Sequence, residues 1–224
     1  MTTTRSRHPV FGPALAQALL AAAAFAAAAD AQEAAPDGPP KADYVAHLSA
    51  LNTKTAGTAA SGEARFTIKG DSLTITVDAS GLPGGITHWQ HFHGFADGQP
   101  AACPTAASDA NHDGIIDITE TAPKAGTTMV PFISDPVSMD VPHGEYPKAS
   151  AAGTLRYEET VSLSALEQAF GKAFDGQRLD LDRRVVFIHG VPAAAKLPAS
   201  VASLGPIPAQ VTLPIACGPI TRVK

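Results

Sequence analysis

Apolar and polar residues alternate along much of this chain with the two-residue period of half-buried strands. The clearest run is Leu73-Thr-Ile-Thr-Val77, in which Leu73, Ile75 and Val77 share one face. Lys69-Gly70-Asp71-Ser72 is a hairpin signal that joins residues 62–68 to this run. Residues 44–51 alternate more loosely. Leu82-Pro-Gly-Gly85 is a tight turn that delivers the chain to a histidine-bearing strand. Further strands are predicted over 153–163, over the β-branched and aromatic run 184–188, and over 211–216, which closes the chain. One short helix fits between them at 164–171. Ser164-Ala-Leu-Glu167 reads as a capping box, Leu166, Ala169 and Phe170 supply an apolar face, and Gly171 is the stop. Many strands, one helix, and nineteen each of glycine and proline predict an all-β sandwich or barrel with long loops.

The N-terminus changes the picture of where this domain works. Arg5 and Arg7 precede an apolar, alanine-rich stretch that ends at Ala29-Asp30-Ala31, the pattern of a secretory signal peptide over 1–31 cut before Gln32. The apolar part is too short for a membrane span of roughly 20 residues. Residues 32–42 read as a polar, proline-rich, disordered leader, and 43–224 as one β-rich domain. The expected location is therefore secreted or periplasmic. Formal charge is −5 with no basic stripe, which argues against nucleic acid as a partner. Cys103 and Cys217 are the only cysteines. In an exported chain the simplest reading is one disulfide; two free thiols or a thiolate metal site are the alternatives.

Candidate chemistry begins at His91-Phe92-His93. On a strand, residues two apart project together, so both imidazoles share a face while Phe92 turns to the other. Two neutral imidazoles supply half of a copper or zinc site. His88 falls on the opposite parity, beside Phe92.

With Gly81-Leu82, Gly85, His88, His91, His93 and Phe95 in place, the chain resembles the Cu/Zn superoxide dismutase family. Arg184-Val-Val-Phe-Ile-His189 resembles the family's last copper-ligand segment, and Cys103 and Ala216-Cys217-Gly218 match its two half-cystines. The resemblance implies a Greek-key β-sandwich or barrel. It implies copper on His91, His93 and His189, a bracing role behind the site for His88, and a Cys103–Cys217 disulfide. The N-terminal part, from His47-Leu-Ser-Ala-Leu-Asn52 to the 87–94 run, also resembles the CHRD domain of chordin-type proteins. Departures from the dismutase pattern are equally plain. The histidine cluster and aspartate of the zinc loop are missing, so zinc is not expected. Only His112 and His143 lie between Cys103 and Gly153; His143 is the candidate fourth copper ligand, the alternative being an exposed turn histidine. Between Gly190 and Pro214 the one charged residue is Lys196, and there is no arginine to guide a small anion.

A second metal motif stands where the zinc loop would be, within an insertion spanning 104–150. Asp109-Ala-Asn111-His-Asp113-Gly114-Ile-Ile-Asp117-Ile-Thr-Glu120 fills every key position of a 12-residue calcium loop of EF-hand type. Asp109, Asn111, Asp113, the Ile115 carbonyl, Asp117 and Glu120 are the expected calcium ligands. His112 points outward at position four. Pro123, close behind, argues against a flanking helix, so the loop reads as a lone structural site. Three functions follow. One is an exported copper-dependent dismutase acting on superoxide. Another is a non-enzymatic copper or CHRD-like module exchanging metal with a donor or acceptor. The third is an interaction domain braced by calcium alone. No serine-hydrolase elbow, zinc-protease helix or phosphate loop occurs.

Overall fold

A computed structural model describes residues 41–223, all within the compact unit Gly38–Lys224. The signal-peptide and most of the leader readings lie outside the described residues. Eight antiparallel strands form the fold: β1 (Lys41–Ala50), β2 (Ser61–Lys69), β3 (Ser72–Ser80), β4 (Gln90–Gly94), β5 (Thr127–Pro131), β6 (Leu155–Ser162), β7 (Val185–His189) and β8 (Pro214–Arg222). Their order across the sheet is β5-β4-β7-β8-β1-β2-β3-β6. Long connections carry the chain from β3 to β4 and from β6 to β7, which is Greek-key connectivity. The all-β class expected from the alternation is what the chain adopts.

The sheet curls over on itself. Phe66 on β2 meets Phe92 on β4 at 6.4 Å between ring centroids, although three strands separate them in the sheet order. The two edges approach as well: Tyr157 on β6 donates its hydroxyl to the carbonyl of Ile133, just past β5, at 2.9 Å. The concave side holds the core, with Phe66, Leu73, Ile75, Val77, Phe92, Phe132, Val186 and Ile188 all buried. Burial of such side chains contributes roughly 1.5–3 kcal/mol each.

Differences from the expected elements have local causes. The closing strand starts at Pro214 and runs to Arg222, while residues 209–212 form a helical turn, α4 (Ala209–Thr212). Gly218-Pro219 suggests a break, yet both residues sit inside β8. Gly218 is needed there because a Cβ would lie 2.5 Å from the carbonyl oxygen of His47 on β1. Among the described residues the single expected helix is one of four: α1 (Thr53–Ala56), α2 (Ile118–Ala125), α3 (Leu163–Ala173) and α4. Helix α3 is capped by Ser162, whose hydroxyl accepts from the Ala165 amide, because Asp71 takes the Ser164 amide at 2.8 Å. Its buried residues Leu166 and Phe170 are those expected. Helix α2 includes Pro123, so proline does not end the segment there. In so short a helix it forfeits one hydrogen bond. Strand β5 was not legible as a strand. β1 begins two residues before the expected domain start at 43.

Candidate metal centre

The pairing register sets which side chains leave the core. His91 on β4 faces Phe187 on β7, and His93 faces Val185, so these four share the convex side. Phe92, Val186 and Ile188, of opposite parity, enter the main core. His189 lies two residues beyond Phe187 and joins the same face, where β7 carries a bulge at Ile188/His189 against β8. A small second core floors this face: Val185, Phe187, Ala125 and Cys217, with Leu51 and Cys103 packed against it. Cys103 and Cys217 are joined in a disulfide across 114 residues.

Three imidazoles converge above that floor. One ring nitrogen from each of His91, His93 and His189 lies within 4.8 Å of the others, and all three residues are buried. Centroid separations are 4.7 Å for His91–His93 and 4.6 Å for His91–His189. His189 donates Nδ1–H to the carbonyl oxygen of Thr212 at 2.7 Å, which leaves its Nε2 as the lone-pair nitrogen. His93 Nε2 and Thr128 Oγ1 are 3.2 Å apart. His91 Nδ1, His93 Nδ1 and His189 Nε2 are buried without any hydrogen-bond partner. Leaving each unsatisfied costs about 1–3 kcal/mol, and one cation shared among the three removes that cost. The donor set therefore fits a transition metal.

Burial also keeps these rings neutral. It holds His91 well below its ordinary 6.5, and the neighbouring His189 and His93 rings push the same way. His93 is lowered to about 3 by burial and then by His189. His189 is lowered to about 4 by burial, with the Thr212 hydrogen bond acting in the opposite direction. Neutral imidazole is the form that ligates a metal.

The other residues singled out from the sequence fall as follows. His88 is fully buried, with Nδ1 2.9 Å from the carbonyl oxygen of His189 and Nε2 2.9 Å from that of Pro83. It ties the turn before β4 to the end of β7. His143 is not brought to them. Its ring is 80% exposed and bonded to Asp140 Oδ1 at 3.0 Å.

Asp109 and Asn111 turn their side-chain oxygens onto the loop's own amides, while Asp113 divides its carboxylate between the Ile115 amide and the Ser200 hydroxyl. The Gly114 amide donates to Asp109 Oδ2 at 2.9 Å, and the Asp113 amide to Asn111 Oδ1 at 2.9 Å. Gly114 has φ +83, which only glycine adopts readily. Asp117 is buried and caps α2, and the buried Glu120 accepts from the Ala110 amide at 2.8 Å. Ile115 is buried beside them, and His112 is exposed.

No protein-family model matches this chain, and no curated protein matches it. Among solved structures, a similar one is the Cu/Zn superoxide dismutase from Brucella abortus, at 17% identity and a TM-score of 0.38. The similarity covers 80% of this chain and 99% of that one. A likeness so distant has no bearing on the chemistry of the site, which rests on the three histidines themselves.

Several residues that shape the site escaped the sequence reading. Trp89 and Tyr146 stack at 5.2 Å, with Trp89 on the wall of the cavity above the histidines. Thr128 and Thr212 orient two of the rings. Gly126, with φ +72, lets α2 turn into β5 against β4, where a Cβ would meet the Gly94 carbonyl oxygen at 2.1 Å. A glycine just behind a lysine-ended apolar turn was the available signal for that helix stop.

Proposed function

We propose that this chain is an exported copper-binding protein whose ion is held by His91, His93 and His189. What carries this reading is the set of three buried, neutral, unpartnered imidazole nitrogens within 4.8 Å of one another. Imidazole suits several transition metals, and copper(II) stands highest in the usual affinity order. Bound there, copper would supply one-electron redox chemistry. The protein's part is to hold His189 in one tautomer through Thr212, to exclude water with the Phe187 floor, and to leave one side facing the cavity. A disulfide supports an oxidising compartment, periplasmic or extracellular. Among the described residues no helix is long and apolar enough to cross a membrane.

Copper added to the metal-free full chain is expected to bind one ion per chain, with an electron paramagnetic resonance spectrum of three nitrogen donors. Loss of a metal ligand's outer partner alone costs about 10–100-fold in affinity. His189→Ala is therefore expected to lower copper affinity by more than about 100-fold, whereas His143→Ala leaves it unchanged. Unaltered affinity in His189→Ala would remove the proposal. Superoxide decay measured on the same copper-loaded sample separates an enzyme from a carrier. The residues around the cavity include no lysine or arginine to steer a small anion, which favours slow decay and a carrier.

The loop 109–120 is proposed as a calcium site on Asp109, Asn111, Asp113, the Ile115 carbonyl, Asp117 and Glu120. Its support is the EF-hand spacing together with the inward-turned oxygens of Asp109 and Glu120 and a helix, α2, that starts within the loop at Ile118. Calcium at 100 times its dissociation constant should stabilise the fold by about 2.7 kcal/mol. Calorimetric titration should give saturable heat, and Glu120→Gln should abolish it. The absence of both heat and a rise in melting temperature would remove calcium from the picture.

A further inference from the structure

We infer that the cavity above the three histidines binds a neutral, largely apolar organic molecule bearing one hydroxyl group. Its volume is about 690 Å³, inside the range of roughly 300–1,000 Å³ for small-molecule sites. A water occupies about 30 Å³ in the liquid, so a diatomic ligand would leave most of this space to solvent. The walls come from separate segments: Trp89 and Phe95 flank β4, Ile118 belongs to α2, and Leu204 and Ile207 lie on the loop before α4. None of the lining residues is aspartate, glutamate, lysine or arginine. In the metal-free protein a charged ligand would lose its hydration there without gaining a counter-charge.

Two details point to what fills the space. Leu204 leaves 50% of its surface exposed at the cavity, and among the described residues only Val223 is a comparably exposed large apolar side chain. Apolar surface held at the mouth of a cavity is removed from water when an apolar ligand enters. Thr212 also lines the cavity, is 4% exposed, and has a hydroxyl buried without any hydrogen-bond partner. A ligand hydroxyl can both donate and accept, and so satisfies that group. The carbonyl of Thr212 already holds His189, so a hydroxyl anchored there lies beside the imidazole cluster. That the ligand is a substrate of the metal rests on the copper reading above; its binding to these walls does not.

The chain's single tryptophan, Trp89, lies in the wall and reports occupancy directly. Para-cresol is the neutral probe, and para-toluate, with the same ring and a carboxylate, is its charged counterpart. In the metal-free full chain, para-cresol should change Trp89 emission saturably. Para-toluate should bind at least tenfold more weakly. Leu204→Glu, on a half-exposed loop side chain, should weaken para-cresol at least tenfold with copper affinity unaltered. The inference is overturned by absence of a saturable response, by para-toluate binding as well as para-cresol, or by a Leu204→Glu protein that binds para-cresol as before. Copper uptake without any para-cresol response sinks this inference and spares the metal site. A para-cresol response without copper uptake does the reverse.

Discussion

Replacing Cys103 and Cys217 together by alanine is expected to lower the unfolding free energy of the metal-free protein by about 5 kcal/mol. The bridge spans 114 residues, and the chain-entropy cost it removes from folding grows with the logarithm of that length. A typical domain holds only about 5–15 kcal/mol in total, so the variant should sit near the edge of stability. The effect should reach the histidine cluster as well. Cys217 pairs with Phe187 across β7 and β8, and the Phe187 ring lies 4.6 Å from His93 and 5.5 Å from His189. Urea unfolding of the variant and of the intact protein tests this. A loss below about 1 kcal/mol would mean that the unfolded chain already holds these segments together.

Mild acid is expected to be the second large perturbation, and its sign is fixed by burial of the three histidines. In the unfolded chain they take up protons near 6.5. In the folded, metal-free protein His93 and His189 remain neutral down to about 3 and about 4, and His91 is also held well below 6.5. Above pH 6.5 neither state is protonated at these rings and stability is complete. As the pH falls from 6.5 towards 4, only the unfolded chain gains protons, so stability falls. Each histidine contributes about 1.4 kcal/mol per pH unit within that window, for a total on the order of several kcal/mol. Asp71 and Asp113 are held below their ordinary 3.8, mainly by serine hydroxyls, so their stabilising contribution is lost only at lower pH. Denaturant midpoints of the metal-free protein at pH 7.5 and pH 5 should therefore differ strongly. His91→Asn, His93→Asn and His189→Asn combined should flatten the difference. Equal midpoints in the unmodified protein would contradict the burial of these rings.

How much of this was readable from the residues depends on the range of the interaction involved. Leu73, Ile75 and Val77 alternate because β3 has one face in the core, a local pattern that shows directly in the chain. His91 and His93 share a face for the same reason. His189 is different: strand parity says nothing about which segments become neighbours, and only the family-like spacing suggested it. The β4–β7 pairing and the bulge at Ile188/His189 bring it into place. Strand β5 was hidden because Thr127–Pro131 is short, ends in proline and takes its shape from pairing with β4. Helix α2 was hidden by Pro123, whose usual meaning fails when the helix is anchored by Asp117 and closed by Gly126. His143 reads from the sequence either as a fourth ligand or as an exposed turn histidine, and the structure shows the second. Its partner Asp140 lies three residues away, and that local hydrogen bond keeps it at the surface.

The neighbours at the centre of the sheet come from opposite ends of the described chain. β1 lies against β8, and the hydroxyl of Thr221 reaches the carbonyl of Val45 across 176 residues. Strand β1 therefore cannot complete its pairing until the segment carrying β8, and with it one half of the cystine, has become available. A chain so arranged stays open and threadable until its last strand arrives, and then its two edges and its cross-link can close together.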